Sequence, residues 1–368
     1  MTDPIAIAVS GGVDSLVCAF LLKARYPDLF GLHFLTGYED PAESIAAHVV
    51  SRFARMGIPV FVIDAAERFK HQVVDAFVTA YQNGLTPNPC LTCNAVIKFG
   101  VLLDEAEKRG ASQLATGHYA RMVNTADGRP SLRKGVDPGK DQSYFLSRLS
   151  PEKLARAVFP LGDRTKAEVR AVASKNSLIP LVARESQDIC FIREGGYVRF
   201  LSEQAGIGFA QGDIVTTTGT CIGRHQGLHR YTIGQRRGIN CPAGEAYYVL
   251  RLDVAQNRLV VGTKDQLTAP GCRVEAINWI VNPWMTDPWI ADLPETGFQV
   301  SVRIRYRHEA VGATIVLTGS RSADIWFEAP QAAVTPGQGA VFYRDDEVLG
   351  GGWIAGPLYH GPAFSWNG

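Results

Sequence analysis

Five apolar residues, Ile5-Ala6-Ile7-Ala8-Val9, run into Ser10-Gly11-Gly12-Val13-Asp14-Ser15 and then into Leu16-Val17-Cys18-Ala19-Phe20-Leu21-Leu22. A strand that turns through two glycines into a helix sets the start of an α/β domain. Glycine permits the tight turn and lets the backbone approach a ligand closely. The free N–H groups and the positive dipole end of the helix make such a turn an anion cradle. Ser10 and Ser15 add hydroxyl donors. Asp14 carries the wrong charge to touch phosphate and is expected to hold a metal or cap the helix. The spacing is not that of a Walker A loop, which needs Gly-x-x-x-x-Gly-Lys-Ser/Thr. Taken alone, the stretch also fits a plain Gly-Gly turn before a helix.

Downstream, residues 30–35, 59–64 and 113–116 read as strands, and residues 42–56, 68–81 and 94–108 as helices. Strands alternating with helices predict a doubly wound parallel sheet in the α/β class, with ligands at the carboxyl ends of the strands. That places residues 10–15 and Gly117-His118 on one rim. Residues 140–176 read as mainly helical, with a capping box at Thr165-Lys166-Ala167-Glu168. Residues 197–204 suggest one last helix. From Gly212 the texture changes to short β-branched runs between Gly, Asn and Asp turns. The expected organisation is a catalytic domain over residues 1–200, a small central β-rich module over 201–270, divided off near Pro270-Gly271, and a C-terminal all-β barrel over 271–368.

Hydrophobic content of 46%, charged content of 20% and a net charge of +1 describe a soluble globular chain. A nucleic-acid partner would therefore need a local basic surface rather than an overall excess of positive charge. No run approaches the length of a membrane span. Met1-Thr2-Asp3-Pro4 lacks a basic n-region, so no signal peptide is expected. Seven cysteines without a secretion signal point to reduced thiols and a cytoplasmic setting.

Thr86-Pro87-Asn88-Pro89-Cys90-Leu91-Thr92-Cys93-Asn94 is a proline-stiffened loop entering a helix. Cys93, near that helix N-terminus, is expected to have a lowered pKa and to serve as a nucleophile or metal ligand. A structural turn with incidental cysteines is the alternative. In Ser186-Gln187-Asp188-Ile189-Cys190-Phe191-Ile192, Cys190 lies between apolar residues and also fits an inert buried thiol. Arg303, Arg305 and Arg307 alternate, which predicts a basic stripe on one strand face, either a phosphate track or a solvated face. His118 is a core histidine or a base-proximal contact, and His33, His48 and His71 read as structural. Cys18, Cys221, Cys241 and Cys272 receive no role, and Trp326 and Phe342 are expected in the core.

Several of these stretches occur together, in one order. The loop 10–15 resembles the pyrophosphate loop of enzymes that cleave ATP between its α- and β-phosphates. With it come Thr86-Pro87-Asn88-Pro89 ending at Cys93-Asn94, Ala115-Thr116-Gly117-His118-Tyr119, Lys140-Asp141-Gln142-Ser143-Tyr144-Phe145 and Ile189-Cys190-Phe191-Ile192. Gly234-Gln235-Arg236-Arg237-Gly238, Arg305-Tyr306-Arg307 and Thr335-Pro336-Gly337-Gln338 follow. Over nearly its whole length the chain resembles the tRNA-specific 2-thiouridylases. The resemblance implies an adenine nucleotide alpha-hydrolase-like domain that adenylates the C2 oxygen of the wobble uridine of tRNA, so that AMP becomes the leaving group for sulfur. It implies ATP and Mg2+, and tRNA together with a persulfide or sulfide donor. Cys190 would carry the persulfide and Cys93 would be the nucleophile that completes sulfur release, leaving a Cys93–Cys190 disulfide. Ala8, Val9, Ser10, Gly11, Gly12, Val13, Asp14, Ser15, Phe34 and Gly117 would bind ATP. Asn88, Pro89, Cys90, His118, Lys140, Asp141, Gln142, Arg305, Tyr306 and Gln338 would bind tRNA.

The chain departs from the family at Cys90, where many members carry an aspartate credited with acid/base help. Cys90, Cys93 and Cys190 together suit a [4Fe-4S] cluster with one open iron, so the persulfide and cluster routes both stay open. Other acceptors for the same loop (as in NAD, GMP or argininosuccinate synthesis) need neither Cys93 nor Cys190. A non-enzymatic RNA-binding protein would not need an intact loop.

Overall fold

In the computed structural model, which describes residues 4–39, 45–125, 128–181, 189–192, 195–205, 210–241, 245–281 and 297–359, the first strand is β1 (Ile5–Ala8). Ile5, Ala6 and Ile7 are buried, as a strand covered on both faces requires. Next come β2 (Phe30–Leu35), β3 (Val60–Asp64) and β4 (Gln113–Ala115), then an antiparallel hairpin of β5 (Ala120–Asn124) and β6 (Pro130–Lys134), then β7 (Ala157–Val158). The parallel sheet has the order β3-β2-β1-β4-β7. The chain lays β2 and β3 to one side of β1 and places β4 on the other. The carboxyl ends of β1 and β4, level at Ile7 and Ala115, therefore flank the point where the strand order reverses. Helices Val13–Lys23, Ile45–Ala54 and Lys166–Lys175 contribute Leu16, Val17, Cys18, Val49, Phe53 and Val169 to the core beside β1.

The chain divides into two compact units. One comprises residues 1–74, 89–191 and 345–349, the other residues 75–88, 192–344 and 350–368. In the first unit the hairpin β5–β6 is a feature the sequence reading missed. It is held by Arg121–Asp346 and Arg129–Glu347 ion pairs at 2.6 and 3.0 Å, with partners more than 200 residues downstream. Residues 140–176 are also less helical than expected. They hold a 3-10 turn (Ser143–Leu146), the short helix Pro151–Ala155, β7 and the helix Lys166–Lys175. Pro160 and Gly162 break the run. The capping box of Thr165 and Glu168 is present as expected.

Gly162 is required by close approach. A Cβ there would lie 1.9 Å from the Ala120 carbonyl oxygen, which is backbone and cannot step aside. Gly162→Ala is expected to destabilise the protein by about 3 kcal/mol, measured by denaturant unfolding. A change under about 1 kcal/mol would contradict that packing.

The second unit is β-rich, as expected from residue 212 onward. β8 (Gly212–Thr216), β9 (Cys221–His225), β10 (Tyr248–Asp253) and β11 (Arg258–Gly262) form a sheet ordered β10-β11-β8-β9. β12 (Thr268–Trp279), β13 (Phe298–Arg303), β14 (Val311–Gly319), β15 (Ser322–Ala332), β16 (Gly339–Arg344) and β17 (Glu347–Leu358) close on themselves, because β12 pairs with both β15 and β17. Closure removes the edges of these six strands. Phe342 is buried in this barrel, whereas Trp326 is only half-buried and lies over Gly271 of β12. In the same unit Tyr81 stacks on Tyr197 of the helix Gly196–Ala205 with centroids 5.3 Å apart. Among the described residues no helix is long and apolar enough to cross a membrane.

Candidate functional site

The loop after β1 has the form the sequence predicted. Val9 N–H donates to the Leu32 carbonyl at 2.9 Å, and the buried His33 ring donates from Nδ1 to the Val9 carbonyl at 2.8 Å, a structural role as expected. Gly11 has φ +77°, and a Cβ there would also crowd Val49 and Leu181. Its carbonyl accepts from Leu181 N–H at 2.9 Å. Gly12 is the N-cap of the helix Val13–Lys23, and no side chain caps that end. An uncapped helix N-terminus behind a glycine turn, at the reversal point of a parallel sheet, can receive a phosphate group. Ala8, Val9, Ser10, Gly11, Gly12 and Val13 form this turn and its approach. Phe34, half-buried, lies near the carboxyl end of β2, and Gly117 follows β4 and backs directly onto Asp14.

Two expectations about the loop change. The Ser15 hydroxyl is used inside it, donating to the Gly12 carbonyl at 2.9 Å and accepting from Ser10 N–H at 3.4 Å. Asp14 does not cap the helix, and among the described residues it belongs to no metal-holding group of side chains. Both its oxygens accept from Lys166 Nζ at 2.8 Å, and Oδ1 also accepts from the Tyr119 hydroxyl at 2.7 Å. In the sequence Lys166 is marked only as part of a capping box, and nothing local to it signals a partner 152 positions away.

The cysteines give the second half of the site. Cys90 and Cys93 lie on the short helix Pro89–Cys93, which runs without a break into a π-helix, Asn94–Leu102. Cys93 has αR dihedrals inside this continuous winding, not at a helix start. The expected lowering of its pKa is therefore overturned. Burial pushes the Cys93 thiol up to about 12, partly opposed by the Lys98 ammonium and reinforced by the neighbouring Cys190 and Cys90. Burial likewise raises Cys90, against the pull of Lys98. Cys190 keeps exposed surface, yet the protein around its sulfur pushes that thiol to about 11. Burial contributes most, then Cys90, with Lys98 opposing and Glu39 adding to the rise. The three thiols thus lie within electrostatic reach of one another.

Phe191 anchors Cys190. It is buried, with its ring 5.7 Å from Phe69 and 6.0 Å from Tyr38. Ser186, Gln187 and Asp188 of the same stretch lie outside the described residues. All seven cysteines are free thiols. Among the described residues no group of three His, Cys, Asp or Glu side chains converges as a metal ion requires. Cys90, Cys93 and Cys190 therefore do not form a site for a single metal ion.

Sequence reasoning missed Lys98, whose ammonium acts electrostatically on all three thiols and on His118. The signal was a spacing of five from Cys93. On an α-helix that spacing puts two side chains about 140° apart. Where hydrogen bonds close i to i+5, it stacks them one turn apart.

The remaining candidates are spread over both units. In the first, His118 is buried and shares a 2.7 Å hydrogen bond with Thr116 Oγ1. Burial, then Lys98, holds the ring well below its ordinary value, so it is neutral. Asp141 is buried and accepts from Gly135 N–H, Ser143 N–H and Ser143 Oγ. Gln142 brackets Tyr119, donating from its N–H and accepting on Oε1. Gln142 therefore supports Tyr119, while Asp141 holds the turn between Gly135 and Ser143. Lys140 is half-buried beside the turn at Asp137, and Pro89 is buried.

In the second unit, Asn88 is half-buried, and Gln338 Nε2 donates to the Thr86 carbonyl at 2.7 Å. The expected stripe of Arg303, Arg305 and Arg307 does not form. β13 ends at Arg303, and the following residues turn. Arg303 bends back onto the Tyr306 and His308 carbonyls, while Arg305 reaches the Ala332 carbonyl at 3.3 Å. Three guanidinium groups alternate on one face only while the strand continues.

A parallel sheet with a glycine turn at its reversal point, followed by a small β-rich module and a β-barrel, defines a class of HUP-domain protein. Family models agree segment by segment. The tRNA methyl transferase HUP domain matches residues 3–194, the PRC-barrel domain residues 199–263 and the aminomethyltransferase beta-barrel domain residues 270–354. The tRNA-specific 2-thiouridylase MnmA of Desulfosudis oleivorans is 49% identical over 350 residues, spanning 95% of this chain and 94% of its own. That of Geobacter metallireducens is 42% identical, spanning 97% of this chain and 98% of its own. The chain belongs to the tRNA-specific 2-thiouridylase family. A solved U34-tRNA thiolase, NcsA from Methanococcus maripaludis, is 22% identical with a TM-score of 0.33, over 56% of this chain and 64% of its own. A likeness that slight carries no weight here.

Proposed function

We propose that this chain replaces the C2 oxygen of a tRNA uridine, the wobble base, by sulfur in a reaction driven by ATP. Near-full-length kinship to 2-thiouridylases carries the function. The electrostatic proximity of Cys93 and Cys190 supports the assignment of the sulfur chemistry to those two residues. A uracil carbonyl oxygen is a poor leaving group. Its attack on the α-phosphate of ATP releases pyrophosphate and leaves an O-adenylated base, for which AMP is the leaving group. The loop 10–15 would hold the departing phosphates on backbone N–H groups. The terminal sulfur of a Cys190 persulfide then forms the C2–S bond as AMP departs. Cys93 attacks the Cys190 sulfur, breaking the bond to the transferred sulfur. The products are 2-thiouridine and a Cys93–Cys190 disulfide, which a thiol reductant returns to two thiols.

The target base has to leave its stack to reach such a site. The chain would divide as residues 1–200 for catalysis, with 201–270 and 271–368 helping to hold tRNA. A persulfide or sulfide donor supplies the sulfur. Asp14, the only carboxylate of the loop, is engaged by Lys166, so no step here depends on a protein-held Mg2+.

The test is mass analysis of tRNA nucleosides after incubation with ATP and a persulfide donor, alongside AMP and pyrophosphate release with and without tRNA. Nucleotide cleavage that ignores tRNA would point to another acceptor, and no 2-thiouridine would sink the proposal. Arg305→Ala is expected to weaken tRNA binding a few-fold and to lower the salt slope by about one. An unchanged slope in a filter-binding titration would remove Arg305 from the phosphate contacts.

A further inference from the structure

An unpaired carboxylate beside a phosphate cradle would repel the ligand, and Asp14 stands in the first turn of the helix Val13–Lys23. Here the carboxylate is doubly engaged. Lys166 Nζ donates to both oxygens at 2.8 Å, and the Tyr119 hydroxyl to one of them at 2.7 Å. Lys166 is only 6% exposed, and its ammonium also lies 5.7 Å from the centre of the Tyr119 ring. Burying an ammonium is unfavourable unless it is paired, so this side chain is positioned for its charge. Its backbone is fixed as well. The Thr165–Glu168 capping box begins its helix, and Lys166 N–H donates to Asp137 Oδ2 at 2.9 Å. Gly117, following β4, closes against the backbone of Asp14 from the other side. Segments 105 and 152 positions away thus converge on one loop carboxylate.

We infer that Lys166 is a positioning residue that neutralises Asp14, so that the loop 10–15 can accept the negatively charged triphosphate of ATP. Tyr119 orients the carboxylate toward it. This inference rests on the reading of the loop as the ATP site. It predicts that Lys166 acts on the charged part of the nucleotide through Asp14 and leaves recognition of the nucleoside alone.

The experiment measures ATP and adenosine binding to the full-length protein, without tRNA, by equilibrium dialysis. The wild type is compared with Lys166→Met, Asp14→Asn and the double variant. In Lys166→Met the bare carboxylate should weaken ATP about tenfold or more, with adenosine changed by less than about twofold. Asp14→Asn in the double variant should bring ATP back to within about threefold of wild type. Equal losses of ATP and adenosine in Lys166→Met would overturn the inference, as a purely structural role would produce them. A double variant no better than the single one would also overturn it, because Lys166 would then touch phosphate itself.

Should Lys166→Met not fold, Asp14→Asn alone decides. It should tighten ATP binding about threefold or more, and a loss would overturn the inference. A wild type that binds no ATP would refute the ATP reading of the loop and this inference with it. Wild-type binding with an unaffected Lys166→Met refutes the inference alone.

Discussion

Cys93→Ser is expected to reduce 2-thiouridine formation by about a thousandfold or more, with tRNA affinity kept within about twofold. A serine hydroxyl does not attack a sulfur–sulfur bond at a useful rate, so the transferred sulfur cannot be released from Cys190 by that route. The side chain is half-buried on a helical segment, and the swap of sulfur for oxygen is small, so the fold should survive. Nucleoside mass analysis checks the first half and filter binding the second. A variant that thiolates at the normal rate would remove Cys93 from the chemistry. One that loses tRNA binding in parallel would make Cys93 a structural residue.

Alkylation of Cys93 should rise about tenfold per pH unit between pH 7 and 10, a total of about a thousandfold. The thiolate is the reactive form, and burial holds this thiol at about 12. At pH 8 only about one molecule in ten thousand carries the thiolate. Because the folded value lies above the ordinary one of 9.0, stability tied to this thiol is full below pH 9 and declines as pH climbs toward about 12. Lys98→Ala should slow alkylation further, since the ammonium is the group that lowers both Cys93 and Cys190. Iodoacetamide labelling followed by peptide mass mapping separates Cys93 from Cys90 and Cys190. A rate that levels off near pH 8 would mean an activated thiolate at rest. The resting thiol is otherwise protonated, which protects it from oxidation until persulfide and adenylated base arrive.

Much of the molecule could be read locally. The run Ile5–Val9 and the glycine turn fix β1, the loop and the helix after it, because strand period, turn chemistry and helix period follow one another within about twenty residues. The capping box at Thr165 is legible for the same reason, and so is the β texture after Gly212. Cys93 and Cys190 are legible by context rather than by neighbours. Their environment is not, because burial is a property of the packed state, and it reversed the direction of the Cys93 shift.

What the sequence alone determined is therefore the order of elements and the residue types able to do the chemistry. The tertiary structure decided their partners. Asp14 reads as a metal ligand or cap until Lys166 is brought to it. Arg303 reads as a phosphate contact until the strand ends and its guanidinium turns onto nearby carbonyls. Lys98 carries no mark in the sequence, and its pull on the thiols of Cys90, Cys93 and Cys190 exists only in the folded chain. The β5–β6 hairpin has no local signature, because the carboxylates that hold it, at Asp346 and Glu347, come from the far end of the chain. Backbone preferences act over a few residues and are written in the sequence, whereas charge pairing and burial depend on which distant residues meet once the chain has folded.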